Sequence, residues 1–148
     1  MKKLLFFLFG FCGISLFFYF ELKKSHDIKK IALGNLNLQL VGVVDSVDKV
    51  KNGYYHGFGI IRLKIINSNV QEYIPDSSQQ YYYCKIRNGI AEIYDHASLT
   101  FRGDTITVDT ESRLISKIKN GQKTDEGSIA VCSNEGYYDY ISKHGHKF

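Results

Sequence analysis

One cysteine and two histidines are the residues whose types could support covalent catalysis in this chain. A cysteine becomes a nucleophile when a neighbouring base removes its proton, and histidine is the usual base. Cys84 lies in a predicted strand, and the fold decides whether His56 or His96 comes close to it. No local catalytic signature surrounds the cysteine. A small thiol-dependent hydrolase using Cys84 with His56 or His96 is therefore one alternative for the function.

Other short motifs in the chain have ordinary structural explanations. His144-Gly145-His146 offers two imidazoles, whereas a structural zinc site needs four ligands. Arg102-Gly103-Asp104 spells an adhesion tripeptide, but Gly and Asp in that order are also typical of a tight turn. The chain has no phosphate loop, no dinucleotide fingerprint, and neither H-E-x-x-H nor G-x-S-x-G. We therefore predict no catalytic residue, no metal and no cofactor, and favour a protein that is not an enzyme.

Tyrosine is the most unusual feature of the composition. The chain has 11 Tyr and 10 Phe but no Trp, and most of the Phe lie near the N-terminus. Tyrosine packs well between strands, and it also makes good contact surfaces because it offers a large area at low entropic cost. We predict a binding face that includes Tyr54, Tyr55, Tyr82 and Tyr138.

Whether two of the cysteines can form a disulfide depends on the compartment in which the domain lies. Cys84 and Cys132 both fall in predicted strands, where an unpaired cysteine behaves as a small apolar residue. If the domain is exported to an oxidising compartment, the two can form a disulfide. The pairing of Cys84 with Cys132 is accordingly a possibility that depends on location.

The positive charge is confined to one end of the chain. Residues 1–30 carry six lysines and two acidic residues, which accounts for the whole formal net charge of +4. The rest of the chain holds equal numbers of basic and acidic side chains. A domain that binds a phosphate backbone normally has a basic excess of its own. The composition therefore does not favour nucleic acid as a partner of the domain.

An uncharged apolar run, residues 4–20, follows the first lysines. As a helix it would be about 25 Å long, at the short end for a membrane span. It is longer than the apolar region of a signal peptide, and no small-x-small cleavage site follows it. We therefore predict a transmembrane anchor in residues 1–22 rather than a cleaved signal sequence, and a single-pass membrane protein.

The orientation of this signal-anchor rests on two opposing indicators. More lysines follow the apolar run than precede it, which would keep the following domain in the cytoplasm. The short Met-Lys-Lys start resembles the n-region of an exported protein. We favour an extracytoplasmic C-terminal domain.

The remainder of the chain predicts a mainly β domain over residues 36–141, after a spacer over 23–35 and before a polar tail over 142–148. Leu36, Leu38 and Leu40 alternate with polar residues, which is typical of a half-buried strand, and Gly42 predicts a bend. Asn88-Gly89 and Asn120-Gly121 predict tight turns. The predicted strands are 36–44, 57–65, 81–86, 90–94, 105–108, 114–118 and 128–132, with 137–141 as a strand or helical tail.

About seven short strands with regular turns indicate a small antiparallel β-barrel or sandwich, and the pattern is similar to an OB-like barrel. Together these features favour a membrane-anchored, non-enzymatic binding module of the cell envelope. Its expected partners are membrane lipid through residues 4–20 and an envelope protein or glycan. Besides the thiol hydrolase, a second alternative is single-stranded nucleic-acid binding on an OB-like face, which requires a cytoplasmic domain.

Overall fold

Seven antiparallel strands form one sheet in the computed structural model, which describes residues 12–24, 27, 33, 36–49, 57–74, 84–130, 140–141 and 143–145. The order of the strands across the sheet is β3-β4-β2-β1-β5-β6-β7. A mainly β fold is therefore confirmed. The strands are β1 (Gln39–Lys49), β2 (Phe58–Ser68), β3 (Cys84–Arg87), β4 (Ile90–His96), β5 (Thr105–Asp109), β6 (Leu114–Lys119) and β7 (Gln122–Ser128).

The sheet is open in the described part of the chain, with β3 at one edge and β7 at the other. The expectation of a closed, OB-like barrel or a two-sheet sandwich is thus corrected to a single open sheet. Closure requires edge strands that pair and bury their inward side chains. Every side chain of β7 is exposed, so this edge has no apolar face to bury against β3.

The predicted N-terminal anchor falls only partly within the described residues. Residues 12–24 are helical, and residues 1–11 lie outside the described ranges. Over the stretches that are described, no helix has both the length and the apolar character needed to cross a membrane.

One face of the sheet, called here the inner face, carries the main core. Period-two alternation places Leu40 and Val44 of β1, Ile61 and Leu63 of β2, and Ile93 of β4 on this face, where all five are buried. Three residues before β1 add to the same cluster. They are Leu33, Leu36 and Leu38, so the segment that leads in from the N-terminus packs on the inner side.

The opposite, outer face carries a smaller apolar cluster. Ile60 and Tyr94 are buried there together with Ile141, and Phe58 and Tyr140 pack against them. Tyr140 and Ile141 are helical. The residues predicted as a strand or helical tail therefore include helical positions, while 137–139 lie outside the described ranges.

Both Asn-Gly turns and the bend at Gly42 are confirmed. Asn88 and Gly89 have φ of 53° and 75°, and Asn120 and Gly121 have φ of 52° and 75°, as a type I′ turn requires. The pairing of β1 with β2 shifts between Val41 and Gly42, which is a β-bulge. A Cβ on Gly42 would approach the Leu63 Cβ to 3.0 Å, so the close packing of the two strands favours glycine.

The last strand is not the predicted one. β7 spans Gln122–Ser128 and pairs with β6, whereas Ile129 and Ala130 are not in a strand and 131–132 lie outside the described ranges. The prediction followed the apolar residues after Ser128. The real strand is polar on both faces and is held by backbone pairing after the turn at Asn120-Gly121.

Candidate binding surface

The predicted tyrosine face lies outside the described residues. This holds for Tyr54, Tyr55, Tyr82 and Tyr138, and the binding role of these four side chains stays a prediction. His56 and Cys132 also lie outside, so the pairing of Cys84 with Cys132 stays a prediction too.

Cys84 and His96 are separated by the sheet itself. Cys84 is fully buried in the inner core and stands opposite Ile93 in the β3–β4 pair. His96 is three residues beyond Ile93, so its side chain projects from the other face, where its ring lies 4.2 Å from that of Phe58. Burial raises the pKa of the Cys84 thiol to about 12, which keeps it protonated. The structure therefore does not bring these two residues into one site.

His144 contacts an acid and an aromatic ring. Its Nδ1 lies 3.1 Å from an Asp48 carboxylate oxygen, and its ring stacks on Tyr140 at 4.3 Å. His146 lies outside the described ranges. Within those ranges no group of three or more side chains could hold a metal ion. His144 thus attaches the C-terminal helical residues to the end of β1.

The Arg102-Gly103-Asp104 tripeptide forms the turn that leads into β5. Gly103 has a φ of 92°, which favours glycine, and its N–H donates to the Val44 carbonyl at 2.9 Å. Asp104 is buried and accepts a hydrogen bond from the Phe101 N–H at 2.9 Å. An adhesion role needs an accessible aspartate, whereas this carboxylate is used to shape the turn.

Among the described residues of the β domain, the most exposed large apolar side chain is that of Leu99, on the loop that holds this turn, residues 97–104. Leu99 is 72% exposed and Phe101 is 53% exposed. Ala97, which precedes them, and Thr100, which lies between them, are buried. Two large apolar side chains, two residues apart in the sequence, are thus left in solvent on one loop. We call Leu99, Phe101, Lys49 and Lys119 the loop patch.

Hydrogen bonds hold the loop in this shape. The Thr100 hydroxyl donates to the His96 carbonyl at 3.0 Å, and the Thr100 N–H donates to the Ala97 carbonyl at 3.2 Å. The N–H groups of Ala97 and Ser98 both donate to the Gly57 carbonyl, at 2.8 and 2.9 Å. Apolar side chains on a flexible loop would fold back onto the core, and these bonds oppose that movement.

Two buried charged residues support the base of the loop. Asp95 accepts hydrogen bonds from the N–H of His96 at 2.5 Å and of Ala130 at 3.3 Å. Lys117 of β6 donates to the His96 carbonyl at 3.2 Å and lies 3.6 Å from the Asp125 carboxylate. Burial raises the pKa of Asp95, although both hydrogen bonds and Lys117 act in the opposite direction. Their contacts thus converge on the last residue of β4.

Two lysines complete the loop patch. The Nζ of Lys49 lies 5.2 Å and that of Lys119 lies 5.5 Å from the centre of the Phe101 ring, within the range of cation–π attraction. Lys49 also donates to the Ser98 carbonyl at 3.2 Å. The ion pairs found among the described residues join other basic side chains to carboxylates. The patch is therefore apolar at its tip and positively charged at its sides.

Sequence reasoning missed the loop patch because only Arg102-Gly103-Asp104 was interpreted, as a turn, and residues 97–101 were assigned to no element. The available signal was the presence of Leu99 and Phe101 in an otherwise polar connection. Lys49 and Lys119 come from the ends of two strands that are not neighbours in the sheet, so their approach to Phe101 depends on the topology. Among the side chains described, the patch offers no nucleophile with a base, and its chemistry is that of a contact surface.

Comparison of the chain with protein-family models, with curated proteins and with solved structures finds no match.

Proposed function

We propose that this protein is a membrane-anchored, non-enzymatic binding module whose β domain, on the extracytoplasmic side, makes contact through the loop patch. The observation that carries the proposal is the projection of Leu99 and Phe101 from a hydrogen-bonded loop, 72% and 53% exposed. Binding residues are found disproportionately on loops that a rigid scaffold positions. A contact surface also agrees with the buried, protonated state of Cys84.

The anchor is supported by the apolar residues at the start of the chain. Residues 4–20 have no charged side chain, and lysines flank them on both sides. In the helical residues 12–24, large apolar side chains are more than half exposed in the isolated chain, including Leu16, Phe17 and Phe20. Such a surface needs an apolar environment, and a bilayer supplies one. Together with the predicted orientation, this makes the domain an envelope component.

The anchor is tested by one charge placed in the apolar run of the full chain. Lysine near the middle of a membrane helix costs about 2.5–3.5 kcal/mol on insertion scales. We expect Cys12→Lys, at the middle of residues 4–20, to release the protein from the membrane fraction, whereas Lys3→Arg, which keeps the flanking charge, stays there. Retention of Cys12→Lys in alkali-washed membranes would contradict the anchor.

The contact surface is tested by a photo-crosslinking amino acid placed at Leu99 in the full chain in cells. Ser46, which is exposed on the outer face of β1, is the control position. We expect covalent products from position 99 and none from position 46, because only the loop patch contacts a partner. The mass of the product separates a protein or glycan from a lipid. Equal yields at both positions, or no product at 99, would refute a binding role for the patch.

A further inference from the structure

We infer that the loop patch binds the anionic surface of the bilayer in which the chain is anchored. This inference rests on the proposed function and names the partner of the same surface. Leu99 and Phe101 would enter the boundary between headgroups and acyl chains, and Lys49 and Lys119 would contact anionic headgroups.

The geometry of the patch suits the membrane interface better than a binding pocket. Leu99 and Phe101 are both more than half exposed on one loop, separated by the buried Thr100, so they can enter a soft surface without needing a complementary cavity. The two Nζ atoms lie 5.2 and 5.5 Å from the Phe101 ring, so each lysine stem runs beside the ring. Lysines in this position can keep their ammonium groups at headgroup level while the ring goes deeper.

The charge of the patch selects anionic rather than neutral lipid. Asp104, the carboxylate of this loop, is buried and occupied by the Phe101 N–H. The half-buried Asp45 beside the loop is shared by Lys64 at 3.2 Å and Arg102 at 3.8 Å. Lys49 and Lys119 therefore remain available to an outside anion. Basic side chains near an anionic bilayer each add to its attraction, and salt weakens that attraction.

The loop patch lies on the same side of the sheet as the segment before β1 that leads in from the anchor. Alternation along β1 puts Lys49 on the inner side, as it does Val47, and Leu33 and Leu36 pack against the inner core. β1 has eleven residues and is about 36 Å long, so a domain lying along the bilayer can contact it at both ends. A short tether gives the patch a roughly millimolar local concentration at the surface, so a contact of two apolar side chains suffices.

Tryptophan fluorescence of the full chain in vesicles tests the inference, because the natural sequence contains no Trp. Phe101→Trp places the reporter in the patch, Leu99→Trp is a second reporter in case the first disturbs the loop, and Ser46→Trp is the control. Each chain is reconstituted into phosphatidylcholine vesicles with or without phosphatidylglycerol, using normal or brominated phosphatidylcholine. Bromine quenches only a tryptophan that enters the lipid.

We expect blue-shifted emission and loss of most of the fluorescence in brominated, phosphatidylglycerol-containing vesicles for both patch reporters, and no loss for Ser46→Trp. Adding Lys119→Glu to Phe101→Trp should abolish the quenching, and so should high salt. Adding Arg87→Glu, which reverses one charge on the outer face of the β3 edge strand, should leave it unchanged.

Two results would overturn the inference. One is emission of both patch reporters that bromine in the host vesicles does not change. The other is quenching seen only when the bromine is in a second, added population of vesicles, since the partner would then be a facing membrane. If either result occurs while Leu99 still gives crosslinks in cells, the binding module stands and only its lipid partner is wrong.

Discussion

Thr110 joins the segment before β1 to the turn after β5, so its hydroxyl links the N-terminal part of the chain to the β domain. The hydroxyl accepts a hydrogen bond from the Leu38 N–H at 2.9 Å and donates one to the Leu36 carbonyl. Thr110 is 3% exposed, and Leu36 and Leu38 are buried as well. Thr110→Val keeps the shape of the side chain and removes both bonds, which leaves a buried donor and a buried acceptor without their partner.

The expected cost follows from those two groups. Each buried polar group that loses its partner costs about 1–3 kcal/mol, so the loss of two should lower the free energy of unfolding of Thr110→Val by about 2–6 kcal/mol. That is a large part of the roughly 5–15 kcal/mol that stabilises a typical domain. Thr110→Ser keeps the hydroxyl and removes one methyl group, at a cost of about 1 kcal/mol.

Urea unfolding of the full chain in detergent micelles, followed by circular dichroism, gives both values. The same slope of free energy against urea must be found for all three proteins before midpoints are compared. Thr110→Val should unfold at clearly lower urea than Thr110→Ser. Equal midpoints for the two variants would show that the hydroxyl contributes nothing and would refute the link between Leu36, Leu38 and the turn.

Three further predictions concern buried groups. Because burial raises the pKa of Asp95 above its ordinary value of 3.8, the folded state binds this proton more tightly than the unfolded chain. The contribution of protonated Asp95 to stability should be complete below pH 3.8 and be lost as pH rises through the raised pKa. The urea midpoint of the natural protein should therefore fall with rising pH relative to that of Asp95→Asn. Parallel plots of midpoint against pH for the two proteins would contradict this. Gly59→Ala should destabilise the domain by about 1–3 kcal/mol or more, because its Cβ would collide with the Asp48 carbonyl oxygen. Gly127→Ala, where no atom lies within 4 Å, is the control, and equal thermal midpoints would exclude the collision. After reduction, iodoacetamide should modify Cys84 only in urea, as mass spectrometry of the peptide would show, because the thiol is buried with a pKa of about 12; rapid modification of the native protein would be inconsistent with this burial.

Strands with an apolar face were predictable, and the strand without one was not. Leu38, Leu40, Ile106 and Val108 alternate with polar residues and all face the inner core. β7 has no such alternation, because both of its faces meet solvent. Its position is determined by the turn at Asn120-Gly121 and by hydrogen bonding to β6, and neither appears as a hydrophobic period.

The prediction of a closed barrel was wrong for a different reason. Alternation shows which side chains share a face of a strand, but it does not show whether the two edge strands meet. The order of the strands puts the β3–β4 and β6–β7 hairpins at opposite edges. This order depends on contacts far apart in the sequence, such as the pairing of β1 with β5.

The separation of Cys84 from His96 was contained in the sequence. The turn at Asn88-Gly89 sets Arg87 opposite Ile90, and counting outward sets Cys84 opposite Ile93. His96, an odd number of residues further on, must then face the other side. The loop patch is the opposite case, since Phe101 meets Lys49 and Lys119 only after the whole sheet has formed.

The buried charges beneath the loop explain how its apolar side chains stay exposed. Burying Asp95 and Lys117 costs free energy, and replacing such groups with apolar residues often stabilises a protein. Here the contacts of both meet at the backbone of His96, where the loop begins. A loop without this support could turn Leu99 and Phe101 toward the core and gain stability by covering them. The buried charges beneath the loop thus fix its position at some cost in stability. Such a cost is expected where a binding surface is held in place before its partner arrives.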